Sequence, residues 1–364
     1  MRVLIITNLL PDARLPAFGT FVAGHAEALR HAGAEVEVVA ITGVPAQTAI
    51  FRKYASLSIR TVTRSLSALI RRRRPHVVEA HVAYPTAILA WIAARMLRAR
   101  LVVFLHGSDV TGDGADGVPR LVARSRFHRR LAGAIFRRAD LLVANSGFIR
   151  AELAARFNVD SARVVVWSPG IDYRRFAAPA SDARRSGILF VGRLARGKGV
   201  CELLQAVAAL DENIAVRFIG GGPERAALER EAKRLGVAAS FDGALAPDDV
   251  ARAMRAARVV AMPSTYPEAL GLVALEAMAA GAMVVASAVG GVGESVIDGE
   301  TGLLVPAGDV SALAAALRAA LSVADEDPAK YRAMRSRALA KAQEHDVEQV
   351  AIRTLRAYET LGAG

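Results

Sequence analysis

The sequence predicts two doubly wound α/β domains in tandem, each a parallel sheet covered by helices on both faces. Three observations carry this. A length of 364 residues suits two domains at ~100–200 residues each. Short runs that are apolar on both faces alternate with amphipathic helical stretches, the pattern of a fully covered parallel sheet. The alternation breaks once, at Asp172–Gly187, a charged stretch with Pro179 and Ser181 and no sustained period, and then restarts. The expected division is residues 1–178 and 179–345, with 346–364 as a closing helix.

In the first domain, strands are expected at Val3–Thr7, Glu35–Ile41, Val77–Ala80, Leu101–Leu105, Leu141–Asn145 and Val164–Trp167. The helices between them are Phe21–Ala32, Tyr54–Arg72, Ala87–Arg98, the very basic Val118–Arg137, and Phe148–Arg156. The second domain reads strand Ile188–Val191, helix Val200–Leu210, strand Ala215–Ile219, helix Glu224–Leu235, strand Ala239–Phe241 and helix Asp248–Ala256. Strand Val259–Met262, helix Leu272–Ala280 and strand Met283–Ala286 follow, then helices Val310–Ser322, Pro328–Glu344 and Val347–Leu361. Ligands of open parallel sheets bind at the carboxyl ends of strands, so two such sheets facing each other make the cleft between them the expected site.

Composition narrows the class. At 53% hydrophobic and 23% charged, the chain is globular and not disordered. The one cysteine, Cys201, excludes an intramolecular disulfide framework and Cys-cluster metal sites, and suits a reducing cytoplasmic setting. Met1–Leu10 is too short and lacks the flanks of a signal peptide; Ala80–Leu97 only just reaches the ~18 apolar residues of a membrane span and reads better as a buried helix of a parallel α/β domain. The net charge of +12 sits entirely in residues 1–172, which hold 24 basic and 12 acidic side chains; the remainder is neutral. That asymmetry points to an acidic partner for the first half.

The second domain opens with a strand running into Gly192-Arg193-Leu194-Ala195-Arg196-Gly197-Lys198-Gly199, directly before a helix. Glycines let backbone approach a ligand, helix N-termini attract anions, Arg193 can fork onto phosphate oxygens and Lys198 adds a point charge. Neither Walker A nor the dinucleotide fingerprint is present. Further on, Glu268 lies in a loop after a strand, Gly271-Leu272-Val273 opens a helix with free N–H groups, and Glu276 lies about one turn into it. A diphosphate at that N-terminus would meet the helix dipole, Arg193 and Lys198. Glu276 could take ribose hydroxyls and Glu268 those of a second sugar; alternatively Glu276 is an acid on an exposed helix face, against which its apolar neighbours count, since an unpaired buried acid is costly. Asp325-Glu326-Asp327 reads as a solvated turn and not a metal motif, and Cys201 as structural. His25, His31, His81 and His128 show no metal-ligand pairing.

The Gly-Arg-Leu-x₃-Lys-Gly loop, the Glu-x₇-Glu segment ending Glu-Ala-Met-Ala-x-Gly, and Gly290-Gly291-Val292-Gly293-Glu294…Asp298-Gly299-x-Thr301-Gly302 resemble the retaining glycosyltransferases with two Rossmann-like domains, the "GT-B" fold of family 4 type. In the first half, Gly19-Thr20-Phe21-Val22, His106-Gly107-Ser108-Asp109, Ala139-Asp140…Ala144-Asn145-Ser146 and Pro169-Gly170-Ile171-Asp172 resemble that family's elements in order. The Pro16–Val22 opening is most similar to members from teichuronic-acid and capsular or exopolysaccharide pathways. Where the family usually has Gly-Phe after its first acid, this chain has Ala269-Leu270.

The resemblance implies a UDP- or GDP-sugar donor and transfer with retention, without a metal or other cofactor. It casts His106, Glu268, Arg193 and Lys198 as catalytic residues. Gly19, Gly192, Arg193, Lys198, Gly271, Leu272, Val273 and Glu276 would bind the donor, and the closing helix would cross back to the first domain. His106 can alternatively be a structural loop residue, and Asp109 can serve only to orient that loop. The arginines at 71–74 and the run Arg120, Arg124, Arg126, Arg129, Arg130, Arg137 and Arg138, interleaved with apolar residues, suit an anionic bilayer carrying a lipid-linked or glycan acceptor, or else form a solvated basic face. Nucleic acid is disfavoured, because no stacking aromatics accompany the arginines. The expected protein is a cytoplasmic glycosyltransferase, peripheral to the membrane, in cell-surface polysaccharide synthesis. The alternatives are a sugar-nucleotide epimerase or phosphorylase on the same scaffold, or a non-catalytic basic adaptor.

Overall fold

Two six-stranded sheets, parallel throughout, organise the chain. The computed structural model describes residues 1–11, 19–40, 50–71, 73–82, 84–112, 125–177, 185–210 and 214–362. Contacts divide it into one unit of Met1–Gly170 with Val347–Gly364, and a second of Ile171–Asp346.

The first unit contains β1 (Arg2–Thr7), α1 (Thr20–His31), β2 (Glu35–Ala40), α2 (Ile50–Ile70), β3 (Val77–His81), α3 (Thr86–Leu97), β4 (Arg100–Leu105), the short α4 (Ser108–Thr111), α5 (Arg126–Phe136), β5 (Leu141–Ala144), α6 (Gly147–Phe157) and β6 (Val164–Val166). Its sheet order is β2-β1-β3-β4-β5-β6. The order reverses between β1 and β3, whose last residues, Thr7 and His81, are in register, and ligands of such sheets bind outside the strand ends at that reversal. The apolar stretch at 80–97 is thus the end of β3 and the whole of α3. Among the described residues no helix is long and apolar enough to cross a membrane.

The second unit contains α7 (Tyr173–Phe176), β7 (Ser186–Val191), α8 (Val200–Ala208), β8 (Val216–Ile219), α9 (Arg225–Leu235), β9 (Ala239–Gly243), α10 (Pro247–Ala256), β10 (Ala257–Met262), α11 (Leu272–Ala279), β11 (Met283–Ser287), α12 (Val292–Ser295), β12 (Leu303–Val305), α13 (Val310–Glu326) and α14 (Pro328–Glu344). The sheet order is β12-β11-β10-β7-β8-β9, reversing between β7 and β10. Its strands are buried on both faces. Leu189, Val260 and Val284 pack with Ala274, Leu275 and Met278 on one side, while Ile188, Phe190, Val259 and Val285 pack with Leu203, Leu204 and Leu317 on the other. Successive side chains point to opposite faces, so a strand covered twice reads as a continuous apolar run.

Several boundaries differ from expectation. Residues 171–176 pack in the second unit: Ile171 and Phe176 lie in its core, and the Ile171 N–H donates to the His345 carbonyl at 2.9 Å. Composition registers the charged side chains of this segment and not its two apolar anchors. The basic helix expected at Val118–Arg137 is described only as α5, and residues 118–124 lie outside the described residues. Asp325 and Glu326 belong to the last turn of α13, where Asp325 pairs with Arg258, and Asp327 caps α14 through the Lys330 N–H. Cys201 is exposed on α8. The final helix, α15 (Val347–Gly362), packs on α1 within the first unit, with Val347, Ala351 and Tyr358 in that unit's core.

Candidate active site

In the second unit the candidate side chains gather where β7 and β10 end. After β7 the backbone is tied sideways: the Gly192 N–H donates to the Ile219 carbonyl and the Leu194 N–H to Gly221, both at 2.9 Å. The loop then turns back against the exit of β10, where the Thr265 N–H donates to the Gly197 carbonyl at 2.8 Å. Gly199 starts α8 with φ +67°, and a Cβ there would lie 1.7 Å from the Pro263 carbonyl oxygen, so only glycine allows this approach.

The approach brings Lys198 to Glu268. Lys198 Nζ donates to Glu268 Oε1 at 2.5 Å and sits 4.9 Å from the Tyr266 ring centre. Ser264 Oγ donates to the same carboxylate oxygen at 2.6 Å, and the Glu268 carbonyl accepts from the Gly291 N–H at 2.8 Å. Burial pulls the Lys198 ammonium down, but Glu268 beside it, with Tyr266, outweighs this and holds it above its usual value. Arg193 is exposed and forms no ion pair among the described residues.

Beyond Glu268, Gly271 caps α11 with φ +85°, and the first N–H of the helix to find an intrahelical carbonyl is that of Ala274. The N–H groups of Leu272 and Val273 therefore have no intrahelical acceptor. Glu276 lies in the second turn of α11, among buried Ala274, Leu275, Ala277 and Met278. Burial pushes its carboxyl up to about 7, against a downward pull from Arg175 and with a smaller upward push from Asp172. Arg175 is itself bound to Asp172 and Asp248, at 3.2 and 3.0 Å, so its charge is already matched. Among the described residues Glu276 has no hydrogen-bond partner. A carboxyl raised in this way in such surroundings makes Glu276 a candidate site residue.

The first unit has a second constellation at the carboxyl ends of its strands. Gly19 caps α1 with φ +72°, and a Cβ there would lie 2.5 Å from the Leu9 carbonyl carbon. Phe21, two residues on, touches His106 with ring centres 4.7 Å apart. His106 follows β4. The N–H groups of His106 and Gly107 donate to Asp109 Oδ1 at 3.1 and 2.9 Å, and Asn145 Nδ2 donates to the His106 carbonyl at 3.3 Å. Asp109 thus shapes the loop that carries the imidazole.

Behind His106 lies a buried cluster. His81 Nδ1 is 3.1 Å from His106 Nε2, and His81 Nε2 is 3.0 Å from Glu79 Oε2. The same carboxylate oxygen is 3.1 Å from His25 Nε2, and Glu79 Oε1 accepts from the Tyr358 hydroxyl at 2.8 Å. Burial pushes Glu79 up, but the charge of His25 and the hydrogen bonds from His25 and His81 outweigh it, holding the carboxyl at about 2. Burial also lowers His81, and lowers His106 further.

The sequence shows no metal-ligand spacing among its histidines, but the fold brings His25, Glu79 and His81 together, with atoms within 4.8 Å of one another, a spacing that a metal ion could use. The hydrogen bonds just given already engage both carboxylate oxygens and both Nε2 atoms. One signal was present in the sequence, since Glu79 and His81 are two apart on a strand and share a face. His25 and Tyr358, 54 and 279 residues from Glu79, gave none.

Two family descriptions match the chain: "Glycosyltransferase Family 4" over residues 19–175 and "Glycosyl transferases group 1" over residues 174–340. A D-inositol 3-phosphate glycosyltransferase of Rhodococcus opacus is 36% identical over 60% of this chain, which spans about half of that relative, 53%. A glycogen synthase of Mycobacterium tuberculosis is 33% identical over 79% of this chain and 69% of its own length. The fold matches HepE of Anabaena in complex with UDP and glucose, with TM-score 0.76, 22% identity and coverage of 99% and 100%. It also matches a sucrose-phosphate synthase from Thermosynechococcus elongatus, with TM-score 0.81, 22% identity and coverage of 100% and 99%. With two parallel α/β units and a relative this similar over more than two thirds of its length, the chain belongs to the GT-B glycosyltransferases, group 1, with a family 4 amino-terminal part.

Proposed function

We propose that the protein transfers a hexose-type sugar from a UDP- or GDP-sugar, with retention of configuration and without a metal, to a lipid-linked or glycan acceptor of cell-surface polysaccharide synthesis. The observation that carries this is Glu276, a carboxyl in apolar surroundings with no protein partner among the described residues, on the helix whose N-terminus carries the free N–H groups of Leu272 and Val273. A ribose diol supplies two donors to such a carboxylate. The diphosphate then meets the helix N-terminus, Arg193 and Lys198, and these stabilise the charge of the departing nucleotide as the glycosidic bond breaks. Glu268, oriented by Lys198 and Ser264, accepts from hydroxyls of the transferred sugar. The family resemblance gives His106 a role near the reacting carbon and Gly19 one near the phosphates. Front-face attack by the acceptor hydroxyl is the route to retention, in keeping with the family resemblance.

The first unit supports an acceptor at an anionic membrane. On α2, Ile59, Val62 and Leu66 are 65%, 42% and 47% exposed along one stripe, with Arg60 and Arg64 on an adjoining face. On α5, Phe127 is 70% exposed beside Arg126 and Arg130. Apolar side chains flanked by arginines suit a bilayer bearing acidic headgroups, consistent with a peripheral cytoplasmic enzyme.

The test is release of UDP or GDP from a panel of nucleotide-sugars, with and without EDTA. The wild type should turn over at least one donor in EDTA, and replacing Arg193 and Lys198 together by Ala should lower kcat by at least about 100-fold. Full activity of the double variant, or strict dependence on a divalent cation, overturns the site reading. Co-sedimentation with anionic but not neutral vesicles checks the membrane surface.

A further inference from the structure

We propose that Glu79 and His81 are positioning residues that fix the imidazole of His106 in one tautomer, with the proton on Nε2 and a bare Nδ1 turned to use as a hydrogen-bond acceptor. The argument follows from which atoms can donate. An ionised carboxylate only accepts. Glu79 Oε2 lies within 3.1 Å of Nε2 of both His25 and His81, so both of these nitrogens carry protons. His81, kept neutral by burial, is then left with an unprotonated Nδ1. That atom lies 3.1 Å from His106 Nε2, which must supply the proton of the hydrogen bond. A neutral imidazole with its proton on Nε2 has a lone pair on Nδ1, and His106 Nδ1 is a buried atom without a hydrogen-bond partner among the described residues. The direction of every bond in the row is thus set at its far end, by one buried carboxylate.

Three features keep the row from reversing. The Tyr358 hydroxyl donates to Glu79 Oε1, so the carboxylate cannot swing away from the imidazoles. His81 lies flat on Phe104, with ring centres 4.5 Å apart and planes 6° from parallel, and the His106 ring lies within 14° of the His81 plane with centres 5.2 Å apart, as their in-plane hydrogen bond requires. The backbone of His106 is pinned through Asp109 and Asn145. A metal at His25, Glu79 and His81 would have to displace these bonds, and a proton row explains the orphaned Nδ1, which a metal there does not.

The consequence for chemistry is one of sign. Once its buried Nδ1 is uncovered, His106 can only accept a hydrogen bond there, which suits a hydroxyl of the sugar or of the attacking alcohol and not a carbonyl or phosphate oxygen. That use rests on the donor reading above; the tautomer itself does not.

The test is the ¹⁵N spectrum of protein labelled at histidine, with His106 assigned by its loss in His106→Ala. The expected result is a pyridine-like Nδ1 and a pyrrole-like Nε2 at His106 in the wild type. His81→Phe should average the two His106 nitrogens and lower kcat for a nucleotide-sugar at least about tenfold, with KM little changed. His81→Gln, which can still accept on one side and donate on the other, should restore most of the loss. A pyrrole-like Nδ1 in the wild type overturns the proposal whether or not the variants fold, as do unchanged His106 shifts and kcat in folded His81→Phe. A wild type with the expected shifts that uses no nucleotide-sugar upholds the row and removes only the donor reading.

Discussion

Each unit holds an acid in apolar surroundings, fully buried Glu79 on β3 and half-buried Glu276 on α11, and they treat it in opposite ways. Glu79 in the first unit is surrounded by donors: two imidazoles on one oxygen and a phenol on the other. Glu276 in the second has none among the described residues, and its one nearby cation is bound elsewhere. Burial pushes both carboxyls up, but only Glu79 is brought back down, to about 2, while Glu276 is left at about 7. A satisfied buried acid is part of the architecture. Glu276, without such donors, is the acid to which the proposed function gives the hydroxyls of a ribose.

Three experiments sharpen that contrast. The largest effect is expected at Glu79. Replacement by Ala strands two imidazole N–H groups and a hydroxyl in the core, at about 1–3 kcal/mol for each buried donor left unpaired. Chemical denaturation should show a loss of about 3 kcal/mol or more in the first unit; a loss under about 1 kcal/mol contradicts the donor set described here. In wild type this acid's folded value lies below its unfolded value of 4.5. Its contribution is therefore complete above that pH and is lost as pH falls towards 2.

Glu276 has the reverse sign. Its folded value, about 7, is above the unfolded 4.5, so a penalty builds as pH rises through this window and reaches up to about 3 kcal/mol above it. Glu276→Gln should be more stable than wild type at pH 8 and indistinguishable at pH 4. The same variant should bind UDP at least about tenfold more weakly at pH 8, while inorganic pyrophosphate, which has no ribose, should bind both proteins equally. Equal loss for both ligands would detach Glu276 from the sugar. The smallest effect is expected for Tyr358→Phe, which removes one hydrogen bond to an ionised group and leaves the imidazoles in place. Its cost should be about 1.5–3 kcal/mol by thermal or chemical unfolding, with the His106 tautomer unchanged.

The contrast also explains what could be read from the amino acids alone. The second unit's site is built from short contiguous pieces, Gly192–Gly199 and Ser264–Glu276, each attached to the end of a strand whose apolar run is plain. Glycine and charge at such ends are readable locally, so Arg193, Lys198, Glu268 and Glu276 could be named as candidates. That Lys198 holds Glu268 was not, because it depends on the loops after β7 and β10 meeting across the sheet reversal. In the first unit, His106 and Gly19 stood out by local pattern, but the cluster behind His106 draws on α1, β3 and α15. Periodicity places Glu79 and His81 on one face; it cannot say that His25 and Tyr358 arrive on that same face.

One feature of connectivity bears on how the molecule is made. The chain leaves the first unit at Gly170 and returns at Val347, so the hydroxyl that closes the carboxylate's coordination is synthesised 279 residues after the acid itself. During translation the sheet β2-β1-β3-β4-β5-β6 can pair before Tyr358 has left the ribosome, with Glu79 and its two imidazoles one donor short. Until the last helix docks on α1, the interior of the nascent unit carries an electrostatic defect beside His106. Docking of α15, rather than pairing of the sheet, supplies the last donor to Glu79.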